Sequence, residues 1–218
     1  MRVPPFFTSS NNREGFVFRF DRQVFFDQFT QKFGAPSSSA QSGLTALLDQ
    51  IEPDDANWAN IYCVAYGLAT FKWETGHTFQ PITERGPVSY FAKYDPGTSI
   101  GARLGNTQPE DGFKYRGRGY AQVTGRANYS HDGTLLGLDL VGNPDLALQP
   151  DVAYRIASRG MKEGWFTGHR LAAYFPDSGP PDYPGARHII NGSDHAEDIA
   201  AIAGKMEAIL QAATLSNP

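Results

Sequence analysis

The sequence predicts one mainly α-helical domain, and three observations carry that expectation. Apolar residues recur at helical spacing in several segments, the longest nearly uncharged stretch is too long for a strand, and only one short run reads as extended. That long stretch is WANIYCVAYGLATFKW, residues 58–73, where Lys72 is the one charged side chain and no proline occurs. Apolar or small residues fall on every side of it, which predicts a helix running through the interior.

The other elements follow in order. Residues 1–15, with Pro4, Pro5 and a polar run, read as a loose arm, and FVFRF at 16–20 as an edge strand or an extended aromatic anchor. Asp21 is placed to cap a helix over 22–33, whose Val24, Phe25, Phe29 and Phe33 form an apolar stripe. Pro36 and the serines at 37–39 predict a break, and Leu44, Leu47, Leu48 and Ile51 a second helix over 42–51. From Gln80 to Gly119 the chain carries seven glycines and four prolines, a long irregular segment of the kind that carries function. YAQVT at 120–124 leaves strand and helix both open. Pro150 and Asp151 suit the first turn of a helix reaching Met161. The last helix is expected from Asp194, with Glu197 as capping-box partner and Ile199, Ile202, Met206, Ile209 and Leu210 on its apolar side.

Bulk properties narrow the function. A chain of 218 residues, 40% hydrophobic and only 19% charged, is large enough for a real core and is read as a single domain over 1–218. A net charge of −4 argues against a general nucleic-acid partner. No run spans a bilayer and the first residues lack a signal-peptide pattern, so the expectation is a host-cytoplasmic protein later released to a cell wall, or one exported by another route. Cys63 lies inside the apolar helix and reads as a small buried residue. The histidines at 77, 131, 169, 188 and 195 show no metal-ligand spacing, so neither metal nor cofactor is expected. No feature calls for an obligate dimer, and a monomer is expected.

Two glutamates stand out. Glu74 falls on the last turn of the buried helix, where the helix dipole and burial both push a carboxyl toward its protonated form, as a general acid requires. Ten residues on, Glu84 lies among Pro81, Gly86 and Pro87, in a wetter setting. Two carboxylates in contrasting surroundings are the arrangement of glycoside hydrolysis. Asp95 and Asp111 are rivals for the second position. In KYRGRG, alternating Arg and Gly suggest phosphate or RNA binding, which the acidic balance opposes. The preferred reading is that Gly117 and Gly119 admit a close backbone approach and that Arg116 or Arg118 positions the carboxylates. Tyr115, Tyr120, Trp73 and Trp165 are candidate sugar platforms.

WETGHTFQPITE, LGNTQPEDGFKYRGRGYAQVTGRANY, NPDLALQP and RHIINGSDHAED occur in that order and together resemble glycoside hydrolase family 19, the chitinase-like group that includes bacteriophage and prophage endolysins. The resemblance covers about residues 40 to 212 and leaves 1–40 as a less recognisable extension. GNTQPEDG before RGRG is nearer the phage and bacterial cell-wall branch. The resemblance implies a lysozyme-like α+β fold, with two helical lobes flanking a glycan-binding cleft and a long Gly/Pro-rich active-site loop. It implies Glu74 as general acid, Glu84 as base in an inverting reaction, and Thr124 as the hydroxyl that helps hold the water. Gln122, Asn128 and Asn191 match sugar-contacting positions. Trp73 departs from the histidine the family usually carries before its acid. The resulting expectation is an endolysin-type hydrolase of peptidoglycan. The alternatives are a chitinase and a non-hydrolytic glycan-binding or virion structural protein.

Overall fold

The computed structural model describes residues 18–215. Helices α1 (Arg22–Phe33), α2 (Ser38–Ile51) and α3 (Ile61–Glu74) come first, then strand β1 (Ile82–Thr83). Three short helices, α4 (Val88–Phe91), α5 (Ser99–Arg103) and α6 (Asp111–Lys114), lead to strand β2 (Arg118–Gly119). Helices α7 (Arg126–Leu136), α8 (Pro150–Glu163), α9 (Tyr183–Ala186) and α10 (Ala196–Ala213) complete the order. The strands pair antiparallel, Ile82 with Gly119 and Thr83 with Arg118. The mainly helical expectation holds.

Helix α3 is the axis of the larger core. Its residues from Cys63 to Lys72 are all buried, α10 packs along it, and α1 and α9 pack on α10. The ring of Trp58 lies across the α3 backbone at Gly67, where an added Cβ would come within 2.6 Å of Cη2. Trp58 Nε1 donates to Tyr154 Oη at 2.7 Å, and Tyr154 Oη to Asp54 Oδ2 at 2.7 Å, so neither buried polar tip is stranded. Burial pushes the Cys63 thiol up to about 11, which leaves it an unreactive core residue at neutral pH.

A second, smaller core gathers Tyr115, Val123, Tyr129, Leu136, Leu140, Ala147, Val152 and Ile156. Phe166 packs against both cores and marks the seam between them. Two cores with a seam are what a two-lobed architecture requires.

Several boundaries differ from expectation, each for a local reason. Helix α2 starts earlier than expected because Ser37 is its cap, accepting from Ala40 N, so Ser38 and Ser39 are helical. The irregular segment 80–119 contains three short helices and a 3₁₀ turn. The capping box at 194–197 does not form: His195, at φ 56°, precedes α10 with no side-chain cap bond, and the Asp194 carbonyl is taken by Arg187. YAQVT resolves into a turn, closed by mutual backbone bonds between Arg118 and Val123. Phe20 bridges Thr214, so the described part of the FVFRF run is an extended anchor on the chain's end; Phe16, Val17 and the arm at 1–15 lie outside the described residues. No described helix is long and apolar enough to cross a membrane.

Candidate active site

Glu74 is the last residue of α3, and the chain turns sharply just after it. Thr75 Oγ1 donates to Phe71 O at 2.6 Å and accepts from Phe79 N at 2.9 Å, which ties the turn to the helix end. Gly76 and His77 both adopt left-handed backbone angles, φ 58° and 69°. The Glu74 side chain is 18% exposed. Its Oε1 accepts from Arg187 Nη1 at 2.7 Å, and its Oε2 accepts no hydrogen bond among the described residues. Arg187, 5% exposed, is fixed in turn by Nε donating to Asp194 O at 2.9 Å. Next to this pair, Trp73 packs on His195 with ring centroids 4.8 Å apart.

Glu84 follows β1, and its main chain extends the pairing: Glu84 N donates to Gly117 O at 2.8 Å. Its carboxylate is held by two donors, Tyr94 Oη to Oε1 at 3.1 Å and Gly117 N to Oε2 at 3.2 Å. Burial foremost, together with the nearby Glu84 charge, pushes the Tyr94 hydroxyl above its ordinary pKa, so it stays a donor. Gly117 lets these groups approach closely. A Cβ on it would meet Gln122 Oε1 at 2.7 Å and Glu84 Oε2 at 3.3 Å.

Gln122 carries the site onward from that contact. Its backbone is left-handed at φ 53°, and Nε2 donates to the carbonyls of Ile82 and Gly119, both at 3.1 Å. Thr124 Oγ1 donates to Gln122 O at 2.9 Å, and Asn128 Nδ2 to Thr124 O at 2.7 Å. Gln122, Thr124 and Asn128 line one groove, whose apolar wall includes Val123, Trp165, Phe166 and Ile190. These apolar residues come from both cores, so the groove follows their seam. Ile190 N and Asn191 N both donate to Arg187 O, which joins the groove wall to the segment that holds Glu74.

Other expected site residues lie elsewhere. Tyr115 and Tyr120 are fully buried, one in each core, and offer no face to a sugar; Tyr115 Oη donates to Val141 O at 3.1 Å. Neither Arg116 nor Arg118 pairs with a candidate glutamate. Arg118 is buried, with Nε on Asp145 Oδ1 at 2.9 Å and Nη1 on Lys114 O at 2.8 Å, so it braces the loop. Arg116 donates to Phe113 O at 2.7 Å and stacks on the Phe113 ring. The arginine on a candidate glutamate is Arg187, in the quoted RHIING run but without a role assigned from sequence. Asn191 is exposed, and its Oδ1 accepts from Gly192 N. Asp111 is gripped by Arg126 through two bonds of 2.6 and 2.7 Å and by the amides of Thr107 and Gln108. Asp95 Oδ1 accepts from Gly112 N. Both rivals to Glu84 are thus engaged in bracing the loop. Among the described residues no cluster of three or more His, Cys, Asp or Glu is placed to hold a metal.

Comparison with known proteins agrees with this architecture. No protein-family model matches the chain. It is 29% identical over 137 residues to Chitinase 8 of Oryza sativa subsp. japonica, a match covering 51% of this chain and 52% of that protein. The chain thus spans about half the length of this relative. Among solved structures, chitinase C from Streptomyces griseus superposes with a TM-score of 0.59 at 24% identity, covering 89% of this chain and 79% of that one. A bacterial family 19 chitinase superposes at 0.50 with 23% identity, covering 89% and 98%. The chain shares the fold of these two chitinase structures.

Proposed function

We propose that this chain is an inverting glycoside hydrolase acting on a β-1,4-linked glycan of N-acetylated sugars. Glu74 protonates the leaving glycosidic oxygen through Oε2, the oxygen that Arg187 leaves open. Glu84 takes a proton from the water that attacks the anomeric carbon on the opposite face, and Thr124 helps hold that water. Gln122 and Asn128 hold the sugar in the groove, and Asn191 follows Ile190 of its wall. Inversion calls for carboxyl groups about 6.5–9.5 Å apart in the substrate complex.

The observation that carries the reading is the continuous chain from Glu84 to Asn128. Glu84 and Gln122 meet at Gly117, and Gln122, Thr124 and Asn128 open onto one groove at the seam of two cores. A purely structural role explains the packing at Gly117 but not a polar wall left open to solvent.

Peptidoglycan is the preferred substrate, supported by the phage-like GNTQPEDG run before RGRG, with action at a bacterial wall. Chitin is the second reading, supported by the names of the relatives. Incubation with purified peptidoglycan and with chitin oligomers, followed by analysis of reducing-end products and their anomeric form, tests both. Sugar binding with no cleavage of either polymer across pH 4 to 8 would overturn the hydrolase reading and leave a glycan-binding protein.

A further inference from the structure

One carboxylate on the groove takes no part in the proposed acid–base chemistry. Asp132 lies on α7 four residues after Asn128, a spacing that puts both side chains on one face of the helix. It lines the groove together with Gln122, Thr124, Asn128 and Trp165, yet it is only 3% exposed. Its Oδ1 meets His131 Nδ1 at 2.9 Å, and its Oδ2 accepts no hydrogen bond among the described residues. In that part of the chain the sealed, partnerless side-chain polar atoms are Thr70 Oγ1 and Ser158 Oγ, so Asp132 Oδ2 keeps a path to open space. The open space that Asp132 borders is the groove.

Burial pushes the Asp132 carboxyl above the usual carboxylate range, and the half-exposed His131 offsets only part of that. Among the described residues no arginine, lysine or backbone amide donates to it. Asp111 shows the contrast: equally buried, it is gripped by Arg126 and by two amides. A carboxylate that only braces the fold at this depth needs such a grip. Beside Asp132 the Trp165 indole is fixed, its Nε1 donating to Glu163 Oε2 at 2.9 Å and its ring meeting His131 edge-on at 5.6 Å. Asn128 Nδ2 is committed to Thr124 O, and Asn128 Oδ1 takes no donor among the described residues. Two neighbouring acceptors without donors, next to a fixed apolar ring, match a ligand edge that carries hydroxyl or amide N–H groups on apolar carbons.

We propose that Asp132 is a sugar-binding residue of this groove, its Oδ2 accepting a hydrogen bond from a hydroxyl of the sugar unit lodged beside Asn128 and against Trp165. The inference rests on the glycan-binding part of the function above and adds a residue to which no role was assigned from sequence. A carboxylate accepting from a hydroxyl in a partly dry groove makes a charge-assisted bond, stronger than one between neutral groups. That bond gives a reason for keeping a carboxylate where it costs stability. Asp132 touches the sugar and not the scissile bond, so its effect falls on binding.

Isothermal titration of the full chain carrying Glu74→Gln, to block turnover, with the hexasaccharide of N-acetylglucosamine tests it. Adding Asp132→Ala is expected to weaken binding at least about tenfold through loss of the charge-assisted bond. Asp132→Asn keeps a neutral acceptor and is expected to weaken it about threefold. His131→Phe keeps a ring on Trp165 and leaves Asp132 in place, so affinity within about twofold of the parent is expected. Unchanged affinity in a folded Asp132→Ala overturns the proposal. So does a loss in His131→Phe as large as in Asp132→Ala, which would make the pair a brace for the groove wall. Binding without cleavage by the wild-type chain would sink the hydrolase reading and leave the Asp132 comparison standing, whereas no binding by the parent overturns both.

Discussion

Arg187 holds Glu74 from 113 residues further along the chain, its Nη1 donating to Oε1 at 2.7 Å. The guanidinium is nearly buried and itself tied to the Asp194 carbonyl, so it fixes one oxygen of the carboxylate and leaves the other open. Glu74→Gln keeps the shape and a hydrogen-bonding oxygen but cannot deliver a proton. Turnover is expected to fall by about 10²–10⁴, the range for losing a general acid, with the melting temperature little changed. Arg187→Ala removes the partner of a partly buried charge and is expected to cost about 3 kcal/mol. Reducing-sugar release and thermal denaturation of the two variants check both outcomes, and near-normal cleavage by Glu74→Gln would refute the acid assignment.

Gly117 separates a packing role from a catalytic one. A methyl group there meets Gln122 Oε1 at 2.7 Å and Glu84 Oε2 at 3.3 Å, so Gly117→Ala pushes both away from their present positions. The Gln122 amide must move most, and the Glu84 carboxylate by a few tenths of an ångström. Misplacement of about 1 Å costs on the order of 100-fold in rate, so Gly117→Ala, which moves these groups by less, is expected to lose about tenfold in kcat/KM while keeping a cooperative unfolding transition. Steady-state kinetics on chitin oligomers or peptidoglycan fragments would read it, and an unchanged kcat/KM would count against a role for the Gln122 amide in its present position.

Tyr94 is one of two donors on the Glu84 carboxylate and touches no other site residue in the hydrogen-bond network. Tyr94→Phe removes a hydroxyl and keeps the ring on Lys93 and Phe91. The lost charge-assisted bond is worth about 1.5–3 kcal/mol, so a kcat lower by about tenfold or more is expected. KM is expected to stay near wild type, because Tyr94 serves the carboxylate rather than the sugar. A change confined to KM would place Glu84 among binding groups.

How much of this was legible beforehand depends on how local the signal is. The apolar stretch 58–73 gave the buried helix, although α3 starts only at Ile61 because Asn60 caps it; the Asp21 cap and the apolar stripes of α1 and α10 are likewise written in spacing. The close approach at Gly117 was also readable, because two glycines flanking an arginine rarely occur without a steric reason. The partners of the arginines were not. Arg118 and Arg187 are equally basic in sequence, and only the fold decides that Arg118 turns to Asp145 and Arg187 to Glu74. Tyr115 and Tyr120 failed for a related reason: an aromatic ring serves a core or a sugar equally well, and burial alone separates the two. The capping box at Asp194 was lost because His195, in a left-handed conformation, precedes the helix, which begins only at Ala196.

Two buried aspartates give opposite acid signatures, and their signs can be worked out. Asp111 is 2% exposed; burial alone would raise its pKa, but Arg126 and the amides of Gln108 and Thr107 outweigh it and hold the carboxyl below its usual range. Its folded value is therefore depressed below the unfolded value of about 3.9. Its stabilisation is present above that pH and is lost as pH falls through the folded value. Asp132, 3% exposed, is pushed up by burial, only partly offset by His131. The native state holds its proton more tightly, so below about pH 3.9 it carries no penalty, and the penalty grows as pH rises through the folded value. Asp111→Asn is accordingly expected to lower the melting temperature at pH 7, with the difference shrinking below pH ~4. Asp132→Asn is expected to raise it at pH 7, with that gain shrinking toward the same acid range. Thermal denaturation of both variants from pH 3 to 8 reads the two trends. If both differences moved in the same direction with pH, the balance of burial against Arg126 and His131 would have been assigned wrongly at one of the two sites.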